Sequence, residues 1–255
     1  MEPVFTGVGA ALVTLFDDSG DVDYDATAAH AARLVDLGCK AIIVAGTTGE
    51  VDALCDEERL RLFQAVREQV PPSAAAVIAG TGASSSRQAH RLTAACADTG
   101  VDAVLARSPR GVADPRGYYR AVAEAAGSLP VLGYHFPAVA PPGIPVEMLP
   151  ELPISGCKDS SGDPDRLLAT LDSWDGWLYV GSSASLLAAG QLGCAGAILA
   201  LANAEPEQCA AAFSGDADAQ LKLAAAHLQS KRDFPRGIKR LVAERFGVSE
   251  AVRLG

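Results

Sequence analysis

The segment Ala41-Ile42-Ile43-Val44-Ala45 indicates the fold class, because it is a short, unbroken apolar run that ends at Gly46. Such a run predicts a strand that is buried on both faces of a parallel sheet. A helical pattern over residues 25–37 precedes it and stops at Gly38, and a second helical pattern over residues 56–69 follows it. Helix and buried strand therefore alternate in this part of the chain.

The same alternation continues along the chain and gives eight short strands. Eight parallel strands of this kind close into a barrel, so the sequence predicts an α/β fold of the (β/α)8 TIM-barrel type. An open doubly wound sheet is the alternative. Its dinucleotide-binding form carries G-x-G-x-x-G after the first strand, where this chain has Phe16-Asp17-Asp18. The predicted strands cover residues 8–16, 41–45, 75–79, 103–106, 131–134, 154–158, 178–180 and 195–199.

The end of the chain is predicted to be helical, with patterns over residues 205–213, 217–229 and 237–246. A short helix is also expected at residues 146–149, between the fifth and sixth strands. No linker or low-complexity tract divides the chain. We therefore expect a single domain over residues 1–255, in which residues 204–255 form a C-terminal helical extension packed outside the barrel.

The composition excludes several classes of function. The net charge is −10 and no Lys/Arg run interrupts it, so no nucleic-acid partner is expected. No apolar run approaches the roughly 20 residues that span a bilayer, so no membrane is expected either. Six cysteines without a C-x-x-C pair, and a start without a signal peptide, predict a cytoplasmic protein. We expect no cofactor and no metal, since His30, His90 and His227 lie in predicted helices without shared ligand spacing.

Lys158 is the most informative single residue. Barrel enzymes carry their catalytic groups at the carboxyl ends of the strands, and Lys158 terminates the predicted sixth strand. The other four lysines fall in turns or helices, so Lys158 alone is expected to be desolvated in a strand. Burial of a lysine disfavours the ammonium form and frees the amine to attack a carbonyl carbon. The alternative is a lysine that reaches the rim and pairs with Asp159 or Asp163.

Two other strand ends carry polar groups that suit the same chemistry. Tyr134 ends the fifth strand, where a phenol moves protons during imine formation or simply closes the core. Thr47 and Thr48 follow the second strand in a turn flanked by glycines. Their hydroxyl and backbone N–H groups suit a carboxylate, although threonines also cap plain turns. Together with Lys158, these residues favour an imine-forming site.

Taken in order, these motifs resemble the dihydrodipicolinate synthase / N-acetylneuraminate lyase family of class I pyruvate-dependent aldolases. The resemblance covers nearly the whole chain. It rests on Gly9-Ala10-Ala11-Leu12-Val13-Thr14-Leu15-Phe16, Gly46-Thr47-Thr48-Gly49-Glu50, Glu57-Glu58-Arg59, Tyr134-x-x-Pro137, Lys158-Asp159-Ser160-Ser161-Gly162-Asp163, Gly193-x-x-Gly196 and Asn203-x-x-Pro206.

The resemblance implies a role for each matching residue. Lys158 would form the imine, Tyr134 would shuttle protons, and the threonine turn would hold the pyruvate carboxylate. The family's members are commonly tetramers built from dimers, which implies a homo-oligomer, either dimer or tetramer. The implied catalytic residues are Lys158, Tyr134 and Thr47, and the implied substrate-binding residues are Gly46, Thr48, Gly181 and Ile198.

The chain also departs from the family pattern at three places. Val139 stands where dihydrodipicolinate synthases carry an arginine that receives the carboxylate of the aldehyde substrate. After the fourth strand the chain reads Ser108-Pro109-Arg110-Gly111, without the tyrosine that reaches across a dimer interface in many members. His135 replaces the usual asparagine. We expect Arg110 to supply a cation at the mouth, to make a contact across an interface, or to lie in solvent. We expect His135 to donate to a substrate hydroxyl or to bond beside its strand.

These departures argue against dihydrodipicolinate synthesis and favour a Schiff-base lyase or aldolase that acts on pyruvate or a 2-keto-3-deoxy sugar acid. Such a substrate presents hydroxyls near the imine and needs no second carboxylate anchor. One alternative is a hydro-lyase that uses the same lysine, either a sugar-acid dehydratase or 4-hydroxy-tetrahydrodipicolinate synthase. Another is a barrel that binds an oxo acid without turnover. A phosphate-binding isomerase barrel is the third, with Gly181-Ser182-Ser183 as a weak phosphate turn.

Overall fold

A computed structural model describes residues 2–254, and within them eight parallel strands close into one barrel. Each strand pairs with the next along the chain, and β8 pairs with β1. This confirms the predicted (β/α)8 fold. The strands are β1 Gly7–Ala11, β2 Ala41–Val44, β3 Ala76–Gly80, β4 Ala103–Arg107, β5 Val131–His135, β6 Gly156–Asp159, β7 Trp177–Val180 and β8 Gly196–Leu199.

Helices surround the barrel and also follow it, as the sequence predicted. In residues 2–254 they are α1 Tyr24–Asp36, α2 Asp56–Gln69, α3 Ser86–Cys96, α4 Arg116–Ala126, α5 Pro164–Ser173, α6 Leu186–Gln191, α7 Pro206–Phe213, α8 Ala217–Lys231 and α9 Arg236–Phe246. Side-chain caps begin several of them. The Asp23 carboxylate accepts from the backbone N–H of Ala26 at the start of α1, and Asp163 accepts from Asp165 at the start of α5.

The β1 strand is shorter than the predicted run of residues 8–16, because side chains replace strand partners after Ala11. The N–H of Val13 donates to the Asn203 side chain at 3.0 Å, and the N–H of Leu15 donates to the Thr27 hydroxyl at 3.0 Å. These backbone groups are therefore satisfied without a ladder. The apolar pattern of this segment reflects burial rather than continued strand pairing.

The connection between β5 and β6 contains a 3₁₀ helix, Val146–Glu151, instead of an α-helix. Pro145 precedes it and Pro150 lies inside it. Proline lacks the N–H that an α-helix needs and clashes with the preceding turn, so a regular helix does not form here. The short helix expected at residues 146–149 exists, but in the tighter form.

Strand register places one row of large polar side chains inside the barrel. Arg107 pairs with Tyr134, Tyr134 with Lys158, and Lys158 with Tyr179. Residues in register on neighbouring parallel strands face the same side of the sheet. Tyr134 and Tyr179 belong to the apolar cluster inside the barrel, so Arg107 and Lys158 face inward as well.

The end of β2 makes a sharp turn that sends the threonines toward the barrel mouth. Ala45 has a positive φ of 53°, in the left-handed region that non-glycine residues seldom adopt. The neighbouring strand approaches closely at this point, since a side chain at Gly80 would overlap the Ala45 carbonyl. The close approach and the strained turn together fix the direction of the segment that follows.

The sequence predicted that the C-terminal helices pack only outside the barrel, and this prediction is wrong for α8. Gln220 donates to the Ser183 carbonyl at 2.9 Å and accepts from the N–H of Leu187 at 3.0 Å. His227 Nδ1 lies 2.8 Å from the Ser183 hydroxyl. These bonds fasten α8 to the loop after β7, so the end of α8 lies over the barrel mouth.

Three further features bear on the expected class of protein. No helix within residues 2–254 is long and apolar enough to cross a membrane. All six cysteines are free thiols, and Cys55 alone among them is exposed. In the described part of the chain, no group of three or more His, Cys, Asp or Glu side chains is arranged to hold a metal ion.

Candidate active site

A cavity of about 280 Å³ opens at the carboxyl ends of the strands. The ends of β5 and β6 and the loops after β2, β7 and β8 line it, and residues from the end of α8 cover one side. Barrel enzymes place their chemistry at this face. The volume is close to the lower limit of small-molecule sites, which suits a small acid.

Lys158 lies inside this cavity and is 4% exposed. The two carboxylates that could pair with its ammonium group, Asp159 and Asp163, have other partners. Asp159 pairs with Arg166 at 2.9 Å, and Asp163 caps α5. Among the ion pairs of residues 2–254, none includes Lys158, so the alternative of a rim pair with Asp159 or Asp163 is wrong. Lys158 is therefore buried, makes no ion pair with the described residues, and lines a binding cavity.

Tyr134 stands directly beside Lys158. The Lys158 Nζ atom lies 4.4 Å from the centre of the Tyr134 ring, and the two residues are in register on β5 and β6. The ring is buried, but the phenol lines the cavity. A proton donor and acceptor is thus held next to the amine, where imine formation requires one.

Thr47 connects the turn after β2 to this pair. Its hydroxyl donates to the Tyr134 phenolic oxygen across 3.5 Å, which is long for a hydrogen bond. Catalytic hydrogen bonds are often long before substrate binds and shorten in the complex. Thr47 and Thr48 both line the cavity, and Thr48 is 5% exposed. The predicted threonine turn therefore lies beside Tyr134 and Lys158.

Hydrogen bonds beneath the turn hold it in place. The Thr14 hydroxyl donates to the Gly49 carbonyl at 2.7 Å, and the Gly49 N–H donates to the Gly46 carbonyl at 3.0 Å. A side chain at Gly49 would approach the Leu12 carbonyl to 2.9 Å, so the turn packs directly on the segment after β1. This close packing explains the glycine at the end of the threonine motif.

The loops after β6 and β7 supply hydroxyl groups opposite the threonines. Ser160 and Ser161 follow Lys158, and Ser182 and Ser183 follow Gly181. A side chain at Gly181 would overlap the Ser160 hydroxyl, so glycine is required for the two loops to meet. Four serines therefore line one part of the cavity, and although Ser161, Ser182 and Ser183 already bond within the protein, each hydroxyl keeps capacity for a further bond to a substrate hydroxyl.

Arg107 is a cavity-facing residue that the sequence analysis missed. Its Nη1 atom donates to the Thr47 hydroxyl at 3.3 Å, and its Nη2 atom pairs with Asp52 at 2.8 Å. A small cavity of about 20 Å³ between Gly46, Arg107 and Tyr134 adjoins the main one. The predicted fourth strand stopped at residue 106, so Arg107 appeared to be part of the loop.

His135 is hydrogen-bonded beside its strand and is absent from the cavity wall that the described residues form. Its Nδ1 atom accepts from the N–H of Ile144 at 2.8 Å, and a side chain at Gly143 would overlap the ring. Burial, followed by the nearby Arg166, lowers the pKa of His135 to about 4. The ring is therefore neutral at pH 7 and ties the loop after β5 to the barrel.

Three other predicted site residues lie at a distance from the main cavity or only border it. Arg110 is exposed in the loop after β4 and does not line the cavity described by residues 2–254. Ile198 is packed in the apolar interior of the barrel, one residue before the cavity-lining Leu199. Gly46 lines the small cavity beside Thr47. The roles in substrate binding expected for these three residues stay predictions.

The cavity wall is electropositive although the chain is acidic. Lys158 and Lys231 belong to it, and no Asp or Glu is found among its described residues. Such local donors allow an acidic protein to bind an anion against its mean field. This charge pattern fits a substrate that carries a carboxylate.

Lys158 is not the only buried lysine, which corrects the sequence analysis. Lys239 on α9 is completely buried, but its Nζ atom pairs with Glu50 at 2.5 Å. Burial lowers the pKa of Lys239 and the Glu50 carboxylate raises it. Lys239 therefore forms a structural ion pair with Glu50, whereas Lys158 lines the cavity and has no such partner.

Residues at the end of α8 complete the site and were not predicted as part of it. His227, Ser230, Lys231 and Phe234 all line the cavity. Burial and the charge of Lys231 lower the pKa of His227. No local motif marks these residues in the sequence, because only the packing of α8 on the loop after β7 brings them to the barrel mouth.

Comparisons of the sequence and of the structure with known proteins lead to the same family. A sequence model of the Dihydrodipicolinate synthetase family matches residues 4–244. An uncharacterized DapA-like lyase of Halobacterium salinarum is 37% identical over 211 residues, which cover 79% of this chain and 68% of that protein. A chloride-inhibited dihydrodipicolinate synthase from Acinetobacter baumannii, complexed with pyruvate, superposes with a TM-score of 0.89 at 28% identity, covering 98% of this chain and 92% of that one.

A second solved structure, KD(P)GA from T. tenax, has a TM-score of 0.86 at 25% identity and covers 96% of this chain and 90% of that chain. The relatives therefore include differently named proteins on one shared barrel. The matched region contains the strand-end motifs that carry Thr47, Tyr134 and Lys158. From the family match over nearly its whole length, we conclude that this chain is an enzyme of the dihydrodipicolinate synthetase family of class I lyases and aldolases.

Proposed function

We propose that this enzyme forms a Schiff base between Lys158 and the 2-oxo group of pyruvate or of a 2-keto-3-deoxy sugar acid. The observation that carries the proposal is the buried Lys158 amine in a cavity without carboxylates, 4.4 Å from the Tyr134 ring. An amine in such surroundings has little competition for its lone pair once it loses its proton. The pyruvate complex of the A. baumannii structure supports the same substrate type.

Imine formation can be written with the residues at hand. Once Lys158 is a free amine, it reacts with the oxo group to give an iminium and water, and the nitrogen and the Tyr134 phenol each give one proton to the departing oxygen. Tyr134 is placed to do this, because its phenol shares the cavity with the amine, and it is left as the phenolate that takes the next proton. The Thr48 hydroxyl and the backbone N–H groups of the threonine turn would donate hydrogen bonds to the substrate carboxylate, and so would orient the oxo carbon toward Lys158.

The iminium then acts as an electron sink for cleavage. The C4 hydroxyl of the sugar acid gives its proton to Tyr134, the C3–C4 bond breaks, and its electrons form the enamine. The aldehyde leaves, C3 takes up a proton, and water releases pyruvate from Lys158. Each bond broken in this sequence is matched by one formed, and no metal or redox cofactor takes part.

The substrate class rests on the wall opposite the threonines. Val139 lines the cavity at the position where a carboxylate-binding arginine would stand, and it offers no charge. The serines after β6 and β7 offer hydroxyl groups instead. A substrate with several hydroxyls satisfies these groups, whereas a second carboxylate beside Val139 would lose its charge-assisted bonds.

The proposal is tested by pyruvate release from 2-keto-3-deoxy sugar acids, followed with lactate dehydrogenase and NADH. We expect release by the wild-type enzyme and none by Lys158→Arg, which keeps the positive charge but cannot form the imine. Lys222→Arg is the matched control, because Lys222 is an exposed lysine of α8. Pyruvate release by Lys158→Arg at the wild-type rate would contradict the proposal. A wild-type protein that pyruvate stabilises thermally, without turnover of any sugar acid, would show a binding protein instead.

We also propose that the enzyme is a cytoplasmic homo-oligomer, either dimer or tetramer. Free thiols at all six cysteines support a reducing compartment. Exposed leucines on the outer helices support self-association, with Leu168 on α5 54% exposed and Leu221 on α8 73% exposed. Light scattering coupled to size exclusion measures the mass directly, and a monomer at micromolar concentration would refute the assembly.

A further inference from the structure

We propose that Arg107 is a positioning residue, which orients the Thr47 hydroxyl toward Tyr134 and thereby completes the proton-transfer group within a single chain. The inference deepens the proposed function and rests on it, since it assigns a role in the imine chemistry of Lys158. It concerns a residue at the end of β4 that no local motif marks.

The register of the barrel brings Arg107 into this group. Arg107, Tyr134 and Lys158 occupy one row across β4, β5 and β6, so their side chains all enter the barrel at the same height. The Arg107 side chain is only 22% exposed, which is low for an arginine at a strand end. A solvated surface role would have left this side chain outside the barrel wall.

The hydrogen bonds give the group a direction. Arg107 Nη1 donates to Thr47 Oγ1 at 3.3 Å and uses one lone pair of that oxygen. A guanidinium is always protonated and never accepts a hydrogen bond, so the Thr47 hydrogen must point elsewhere. It points to the Tyr134 oxygen, 3.5 Å away. Arg107 therefore occupies one acceptor site of the Thr47 oxygen and favours the arrangement in which Thr47 donates to Tyr134.

A second contact fixes the guanidinium itself. Arg107 Nη2 pairs with Asp52 at 2.8 Å in the segment that follows the threonine turn. The two terminal nitrogens of the guanidinium thus bind Thr47 in the turn and Asp52 in the segment after it. A lysine, with a single nitrogen, could not reproduce this arrangement. Asp52 is 54% exposed, so it orients the guanidinium while leaving much of its charge uncompensated on the cavity side.

The consequence for chemistry lies in the steps in which Tyr134 must hold a negative oxygen. When Tyr134 gives its proton to the oxo oxygen, the resulting phenolate accepts a hydrogen bond from Thr47. The Arg107 guanidinium, which is hydrogen-bonded to Thr47, places a positive charge near this phenolate. When Tyr134 takes a proton back, Thr47 remains in place for the next transfer. Arg107 keeps its own protons throughout and acts only through Thr47.

Two measurements on one set of variants test this inference. Borohydride trapping with pyruvate reports the imine, and deuterium uptake at C3 of pyruvate in D2O reports proton transfer at the imine. For Arg107→Met we expect the adduct to form at saturation, with the exchange rate lowered roughly 10- to 100-fold. General acid–base groups contribute roughly 100- to 10,000-fold, and Arg107 acts on one indirectly. Arg107→Lys should recover part of the loss, and Asp52→Asn should show a smaller one.

The control is Arg120→Met, the same change at an exposed arginine of α4, which should keep the wild-type exchange rate. Melting temperatures of all variants separate a folding defect from a catalytic one, and Arg107→Lys keeps the test valid if Arg107→Met fails to fold. Wild-type exchange in both Arg107 variants would overturn the inference and leave the proposed function intact. Absence of any adduct in the wild-type enzyme would instead overturn the proposed function.

Discussion

Lys158 and Lys239 are both buried, and their different neighbours explain why only one of them suits covalent catalysis. Lys239 donates to the Ala251 carbonyl at 2.6 Å and pairs with Glu50, so its charge is satisfied on both sides. Lys158 faces a ring and a cavity instead. Burial of a lysine alone therefore does not indicate a nucleophile, and the partner must be known.

The dependence of a side chain's role on its spatial neighbours also limits which site residues the sequence could predict. Lys158, Tyr134 and the two threonines lie at or shortly after strand ends, and the rule that barrel chemistry collects there predicts that they share one site. In the structure all four line the same cavity. Arg107 was missed because it lies one residue beyond the apolar run of β4. Its register with Tyr134 depends on the closed sheet, which no local pattern contains.

His30 gives a prediction for the pH dependence of stability. Burial, followed by the nearby Arg33, lowers the pKa of His30 from 6.5 to about 4. The unfolded chain therefore binds a proton between pH 6.5 and 4 that the native protein does not, so the free energy of unfolding falls as the pH falls through this range. The contribution of this residue is on the order of 3 kcal/mol at most.

Urea denaturation at pH 7, 6 and 5 measures this slope. His30→Leu removes the titrating ring, so its free energy of unfolding should vary less between pH 6.5 and 4 than that of the wild type. The buried His135 remains in the variant and keeps part of the slope, because its pKa is also lowered to about 4. An identical slope in wild type and variant would contradict the assignment of this proton to His30.

Among the elements, β1 shows how a distant side chain can end a strand. Asn203 accepts from the N–H of Val13 and donates to the carbonyls of Ala11 and Ala200. It joins the end of β1 to the loop after β8 and so closes the barrel at its final seam. Asn203 belongs to a family motif in the sequence, but no local pattern indicates that its side chain satisfies distant backbone groups.

Asn203→Ala should therefore lower the free energy of unfolding but leave imine formation at Lys158 intact. The variant leaves the buried N–H of Val13 and the Ala11 carbonyl without this partner, and an unsatisfied buried group costs roughly 1–3 kcal/mol. Urea denaturation measures the change. The borohydride adduct at Lys158 should still form in the folded variant. A free energy of unfolding equal to that of the wild type would contradict this role.

The connection between β5 and β6 marks another limit of prediction at the level of elements. The sequence placed a helix there, but Pro145 and Pro150 made it a 3₁₀ helix. In contrast, the eight strands were predictable, because they are mainly short runs of apolar and small residues that are buried on both faces. Strand ends were less certain, since hydrogen bonds from other parts of the chain decide them.

Across the whole molecule, Glu50 connects the threonine turn to the end of the chain. Its Oε1 atom pairs with Lys239, and its Oε2 atom accepts the N–H groups of Arg253 and Leu254 at 2.8 Å. Arg253 in turn pairs with Glu58 on α2 at 2.7 Å. Glu50 is the last residue of the motif that carries Thr47, so the C-terminal segment supports the active-site turn.

Glu50→Gln tests this connection. The change keeps the shape of the side chain but leaves the Lys239 charge buried without its partner, which typically costs about 3–5 kcal/mol. We expect a lower urea midpoint and slower pyruvate release in the folded fraction. Arg116→Gln, which removes the two exposed ion pairs of Arg116 with Asp114 and Glu151, is the control and should leave the midpoint unchanged. A Glu50→Gln midpoint equal to that of the wild type would contradict the support role.

The most direct test of the central claim is the site of covalent attachment. The enzyme is incubated with pyruvate and borohydride, digested, and its peptides are mapped by mass spectrometry, with Lys158→Ala as the control. We predict one reduced pyruvate adduct on Lys158, none on the buried Lys239, and none in the variant. A folded wild-type enzyme without an adduct at saturating pyruvate, or an adduct on another lysine that persists in Lys158→Ala, would contradict the account.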